Sequence, residues 1–132
     1  MLGPAQICLT SALAHHDLTD AIPDTLDVAI PRGGRSPATE HAITWHQFDA
    51  ATFDLGRDEI PIEGTDLSIG LYSPERCIAD AFRLRGQLGY ETARDALKEW
   101  LRRGGKPNTL MRIALQLPRA KTPILHALET LS

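Results

Sequence analysis

Apolar residues in the first half of the chain alternate with polar ones over short runs bounded by Gly, Pro and Asp, whereas beyond residue 73 they recur every three or four positions. That change of period predicts strands first and helices afterwards. The opening run is the exception. Ala5, Cys8, Leu9, Ala12 and Leu13 fall at helical spacing, with Ile7 widening the stripe, and predict a helix over about 4–16. Residues 26–30 read as a short strand stopped by Pro31 and the glycines Gly33 and Gly34. A second strand follows at 43–48, where Ile43, Trp45 and Gln47 alternate against Thr44, His46 and Phe48. Segments 59–62 and 67–72, separated by Glu63-Gly64-Thr65-Asp66, have the spacing and turn chemistry of an antiparallel hairpin. Four helices are predicted beyond Ser73, over about 74–85, 90–103, 108–117 and 122–131, punctuated by Gly89, Gly104-Gly105 and Pro118.

This order predicts an α+β fold: an N-terminal helix, a small, mainly antiparallel sheet of about four strands, then a C-terminal run of four helices. A parallel arrangement built from strand-helix-strand units would need helices between the strands. The connections after Pro31 and Phe48 are too rich in Gly, Pro and Asp for that. Residues 1–132 are expected to form one domain, long enough to bury about two-thirds of the surface of the unfolded chain.

The second predicted helix start is the most explicit. Ser73 can cap exposed amides and Pro74 brings a pre-set φ to the first helical position. Within Ser73-Pro74-Glu75-Arg76-Cys77-Ile78-Ala79-Asp80-Ala81-Phe82-Arg83, the residues Cys77, Ile78, Ala81 and Phe82 form an apolar side. Arg76, Asp80 and Arg83 form a charged seam at spacings that permit Arg-carboxylate pairing. The seam has two readings: it knits the helix to its neighbours, or, through Arg83 and Arg85, it faces a partner. The following helix sets Tyr90, Ala93, Leu97, Trp100 and Leu101 inward, and Thr122-Pro123 repeats the cap-then-proline start.

The formal net charge of −3 conceals a division between halves. Up to Ser73 there are three basic and eleven acidic residues, net −8; from Pro74 there are eleven basic and six acidic, net +5. The two halves either attract one another or meet different partners. Cys8 and Cys77 sit among apolar neighbours and are expected to be reduced, which implies a cytoplasmic location. No basic start precedes the apolar residues near the N-terminus, so no signal peptide is expected, and no run approaches the ~20 apolar residues that span a bilayer.

Three segments then share an order and spacing: Ile7-Cys8-Leu9-Thr10-Ser11-Ala12-Leu13-Ala14-His15-His16-Asp17-Leu18-Thr19, Val28-Ala29-Ile30-Pro31-Arg32-Gly33, and the stretch from Tyr72 to Arg83. Together with Leu88-Gly89-Tyr90-Glu91-Thr92-Ala93 and Leu125-His126-Ala127-Leu128-Glu129 they make nearly the whole chain resemble the C-terminal domain of the antitoxin of AbiE-type (abortive infection, type IV) toxin-antitoxin systems. The resemblance implies neutralisation of a nucleotidyltransferase toxin, without a cofactor. Family members carry an N-terminal winged-helix domain that binds promoter DNA; here the first predicted helix begins within a few residues of Met1, so that domain is expected to be absent. Cys77 stands where the family usually has a threonine.

Other chemistry has weaker support. His15 and His16 are adjacent, so on a helix they diverge by about 100° and lack a third metal ligand; contact with the last carbonyls of the helix suits them better. Asp24 and Asp27 are acidic, but the first lysine is Lys98, and no carboxylate-lysine set suited to a metal-dependent nuclease is present. Arg32-Gly33-Gly34-Arg35 lacks the Lys-Ser/Thr ending of a phosphate loop. The pair of helices around Gly104-Gly105-Lys106-Pro107 has the form of a helix-turn-helix, with Asn108, Thr109, Arg112 and Gln116 on one side of its second member. Seven basic residues and one acid lie between Lys98 and Lys121. The expectation is therefore a non-enzymatic, metal-free domain that restrains the toxin directly or indirectly, with Arg83, Arg85, Arg102, Arg103, Lys106 and Arg112 as the contact region if the restraint is direct. The alternative is a transcriptional regulator or nucleic-acid-binding module acting through 90–117.

Overall fold

The computed structural model describes residues 5–36 and 42–131. Strand β1 (Gln6–Ile7) precedes helix α1 (Leu9–His15), followed by β2 (Leu26–Pro31), β3 (Ile43–Phe48), a 3-10 turn (Ala50–Thr52), β4 (Arg57–Pro61) and β5 (Ser68–Tyr72). Five helices complete it: α2 (Pro74–Arg83), α3 (Arg85–Leu88), α4 (Tyr90–Arg102), α5 (Pro107–Ala114) and α6 (Lys121–Leu131).

The sheet corrects the expected architecture. It has five strands in the order β3-β2-β1-β5-β4, and it is mixed. β1 runs antiparallel to β2 and parallel to β5; β2 and β3 are parallel; β4 and β5 are antiparallel. Only the β4–β5 hairpin matches the antiparallel expectation, closing through an Ile62 amide donating to Leu67 O at 2.9 Å. The reason lies in chain reach. A six-residue strand is about 20 Å long, and the eleven residues between Pro31 and Ile43 can extend over about 36 Å. The connection is therefore long enough to return the chain to a parallel start.

The first helix is also shorter than its apolar stripe. Gln6 and Ile7 are extended, and Leu9 turns the chain with a left-handed φ of 50°. The central position of β1 depends on glycine: a Cβ at Gly70 would collide with the Gln6 amide and with Ala5 O. The expected C-terminal run of four helices is five, because the short α3 follows a break at Leu84, whose φ and ψ are −110° and 28°.

Helix α2 is the hub. It packs against α1, α4, α5 and α6, and every residue from Arg76 to Phe82 is buried. One continuous core joins Leu13, Tyr72, Ile78, Phe82, Leu97, Trp100, Leu110 and Ile124. Since Tyr72 ends β5 and Ser73 caps α2, the sheet feeds directly into that hub.

Candidate functional site

The cap expected at Ser73 forms, with its Oγ accepting from the Arg76 amide at 3.2 Å. Pro74 occupies the first turn and Glu75 places an acid there, favourable to the helix dipole. The charged seam is not a surface. Arg76 and Asp80 are fully buried. Arg76 Nε donates to both Asp80 oxygens at 3.0 Å, and its Nη1 donates to Thr52 O at 2.7 Å and Leu55 O at 2.8 Å. Its guanidinium lies 4.3 Å from the Tyr72 ring centroid. Arg83 Nε donates to Asp80 Oδ1 at 2.7 Å and its guanidinium lies 4.6 Å from the Phe48 centroid.

This network locks the 49–56 segment against α2, which also explains Gly56: at φ 75° it passes so close that a Cβ would lie 2.6 Å from Arg76 Cβ. Tyr72 Oη donates to Phe53 O, and burial pushes its phenol well above the ordinary range despite the lowering effect of Arg76. Both Asp80 oxygens are occupied by guanidinium donors. The arrangement holds the 49–56 segment and α2 together.

The six expected contact residues are dispersed. Arg83 belongs to the interior network. Arg85 donates to Phe82 O at 2.8 Å and lines a separate cleft. Arg102 and Arg103 converge on Glu99, at 2.5 and 3.4 Å. The Arg102 hydrogen bond is the main reason the Glu99 carboxyl is held below its usual range. Arg103 also donates to His16 O at 2.9 Å and to Asp17 O, tying α4 to the end of α1. These residues, with Asp17, Asp20 and Asp95, line an open cleft of about 540 Å³ whose charges are mixed. Lys106 precedes α5 and Arg112 lies on its exposed side with Asn108 and Thr109; Gln116 follows the helix and is also exposed. The α4–α5 turn is tight, since a Cβ at Gly105 would overlap the Trp100 indole.

No ion pair joins the acidic half to the basic half among the described residues. Arg57 pairs with Asp54 and Glu59, and His46 with Asp27, within the first half. Arg76, Arg83, Arg94, Arg102 and Arg103 pair within the second. The charge asymmetry is therefore left largely on the surface.

One polar cluster has no signature in the linear sequence. Asp27 Oδ2 accepts from the Ser11 amide at 3.2 Å and from Ser11 Oγ at 3.1 Å, while Asp27 Oδ1 lies 3.0 Å from His46 Nε2. Cys8, which precedes α1, offers no side-chain cap, and a carboxylate from β2 serves instead. Burial alone would raise the Asp27 pKa, but the hydrogen bonds from His46 and Ser11 outweigh it and hold the carboxyl below its ordinary value. The parallel register places Ala29 opposite His46, so Asp27 and His46 meet on a diagonal that sequence spacing does not announce. Ser11 Oγ points to the carboxylate and not to the imidazole, so the trio is not a nucleophile-base arrangement.

The remaining histidine expectation changes in detail: His16 Nε2 lies 2.8 Å from Tyr72 O, and His15 is exposed. His41 lies outside the described residues. Cys8 and Cys77 are free and buried, and burial pushes both thiols well above their ordinary range. No group of three or more His, Cys, Asp or Glu that could hold a metal occurs among the described residues. No helix among them is long and apolar enough to cross a membrane. No protein-family model matches the chain, and no curated protein matches it either.

Proposed function

We propose that this chain is a non-catalytic antitoxin-type domain that restrains a cognate nucleotidyltransferase toxin through contact with its basic helical half. The reading rests on the collinear resemblance to the AbiE-type antitoxin domain, and one structural observation supports it most directly. From Lys106 onward there are four basic residues and one acid, and Lys106, Arg112, Arg119 and Lys121 are exposed without forming an ion pair among the described residues. Cations left uncompensated by their own fold favour association with an acidic surface and speed the encounter.

Co-expression with a cognate nucleotidyltransferase toxin tests the reading. The wild-type chain relieves growth arrest, and Lys106→Glu combined with Arg112→Glu weakens the relief without lowering the melting temperature by more than a few degrees. Continued arrest with the wild-type chain soluble and folded refutes it.

The second reading, a nucleic-acid-binding module, is favoured by exposed Asn108 and Arg112 on α5 after the glycine turn. Its mark is affinity for operator DNA or tRNA that falls steeply with salt, because phosphate neutralisation releases counterions.

A further inference from the structure

A cleft of about 600 Å³ opens where the start of α4 meets the turn before α6, lined by Arg85, Tyr90, Arg119, Thr122, Pro123 and His126. Three of these six carry or can carry positive charge, and none is acidic. The volume lies within the ordinary range for small-ligand sites, about 300–1,000 Å³. Neither Arg119 nor His126 makes an ion pair or a side-chain hydrogen bond among the described residues, whereas Arg85 is held by Phe82 O. Cations gathered around one cleft repel one another unless an anion joins them.

The backbone presents Arg119 deliberately. Leu117 and Ala120 on either side are buried, and between them Arg119 is exposed at φ 65°, the left-handed region in which a non-glycine residue is strained. Tyr90 supplies a different chemistry. Its ring meets the buried Phe82 in a T-shaped contact, with centroids 6.0 Å apart at 75°, while the residue remains 41% exposed. An aromatic surface anchored to the core beside two guanidinium groups and an imidazole suits an anion that carries a flat aromatic body.

We propose that this cleft binds a nucleotide, its phosphate held by Arg85, Arg119 and His126 and its base set against Tyr90. The ligand is either a free nucleotide or one nucleotide of a single strand, since both present the same groups. The cleft shares Arg119 with the cationic surface described above, but its test requires no toxin.

Calorimetric titration of the full chain with AMP, inorganic phosphate and a single-stranded oligodeoxyadenylate tests it. Saturable binding of AMP is expected, tighter than that of phosphate; binding of the oligonucleotide alone assigns the site to a strand. Arg119→Gly is the informative variant because glycine relieves the left-handed strain while removing the cation. It weakens nucleotide binding about tenfold or more, as loss of a charge-assisted contact does, without lowering the melting temperature. Tyr90→Ala weakens AMP and leaves phosphate unchanged. The proposal is overturned if neither AMP nor the oligonucleotide binds at millimolar concentration, if Arg119→Gly leaves affinity intact, or if phosphate binds as tightly as AMP.

Discussion

Asp80→Ala would strand the guanidinium of Arg76 in the interior with its charge uncompensated. Removing one partner of a buried pair costs about 3–5 kcal/mol, much of it the penalty on the charge left behind. Arg76 keeps the Thr52 and Leu55 carbonyls and its position 4.3 Å from the Tyr72 ring centroid, which places the cost near the lower end, about 3 kcal/mol. With about 2.1 cal/mol/K of unfolding entropy per residue, a chain of this length loses about 3.6 °C per kcal/mol. The expected fall in melting temperature is therefore about 11 °C, read by circular dichroism with Asp80→Asn as a milder control. Adding Arg76→Met to Asp80→Ala removes the buried charge and recovers part of the loss; full recovery is not expected, because the Thr52 and Leu55 carbonyls lose their donor. A shift below about 3 °C would show that the network contributes less than 1 kcal/mol and refute this account of α2. An unchanged melt accompanied by lost partner binding would move the seam from structure to recognition.

Gly105→Ala forces a methyl group into the Trp100 indole, an overpacking cost of about 1–3 kcal/mol, and lowers the melting temperature by about 4–11 °C, checked by the same melt. Asp27 gives a pH signature. Its folded pKa is depressed below the unfolded value near 3.8, so its contribution is complete above that value and disappears as the pH falls through the folded pKa. Urea unfolding at pH 6, 4 and 3 should show the wild-type advantage over Asp27→Asn shrinking across the most acidic step; an advantage that grows as the pH falls would reverse the sign of the linkage.

The fold was partly legible because some elements are specified locally. The cap and proline at Ser73-Pro74 fix the start of α2 whatever surrounds it, and the period change at that point separates strands from helices. The 43–48 strand and the β4–β5 pairing also follow from alternation and turn chemistry, both short-range properties. The Arg76-Asp80-Arg83 spacing foretold which side chains meet, although the wheel gave no sign that they meet away from water. Burial of that face is imposed by the 49–56 segment, which arrives from another part of the chain.

What local pattern could not contain was decided by partners. Gln6 and Ile7 carry the same apolar signal whether they begin a helix or fill the centre of a sheet, and only the close approach to Gly70 selects the strand. Parallel or antiparallel pairing of β2 with β3 depends on where the connecting loop returns, not on the composition of either strand. The Asp27-His46-Ser11 cluster and the Arg119 cleft each draw residues from separate elements, so no spacing along the chain encodes them. Sequence by itself determined where the chain turns, caps and changes period, because those depend on neighbours in the chain; tertiary structure decided strand order, the burial of the charges and the residues that share a cleft, because those depend on neighbours in space.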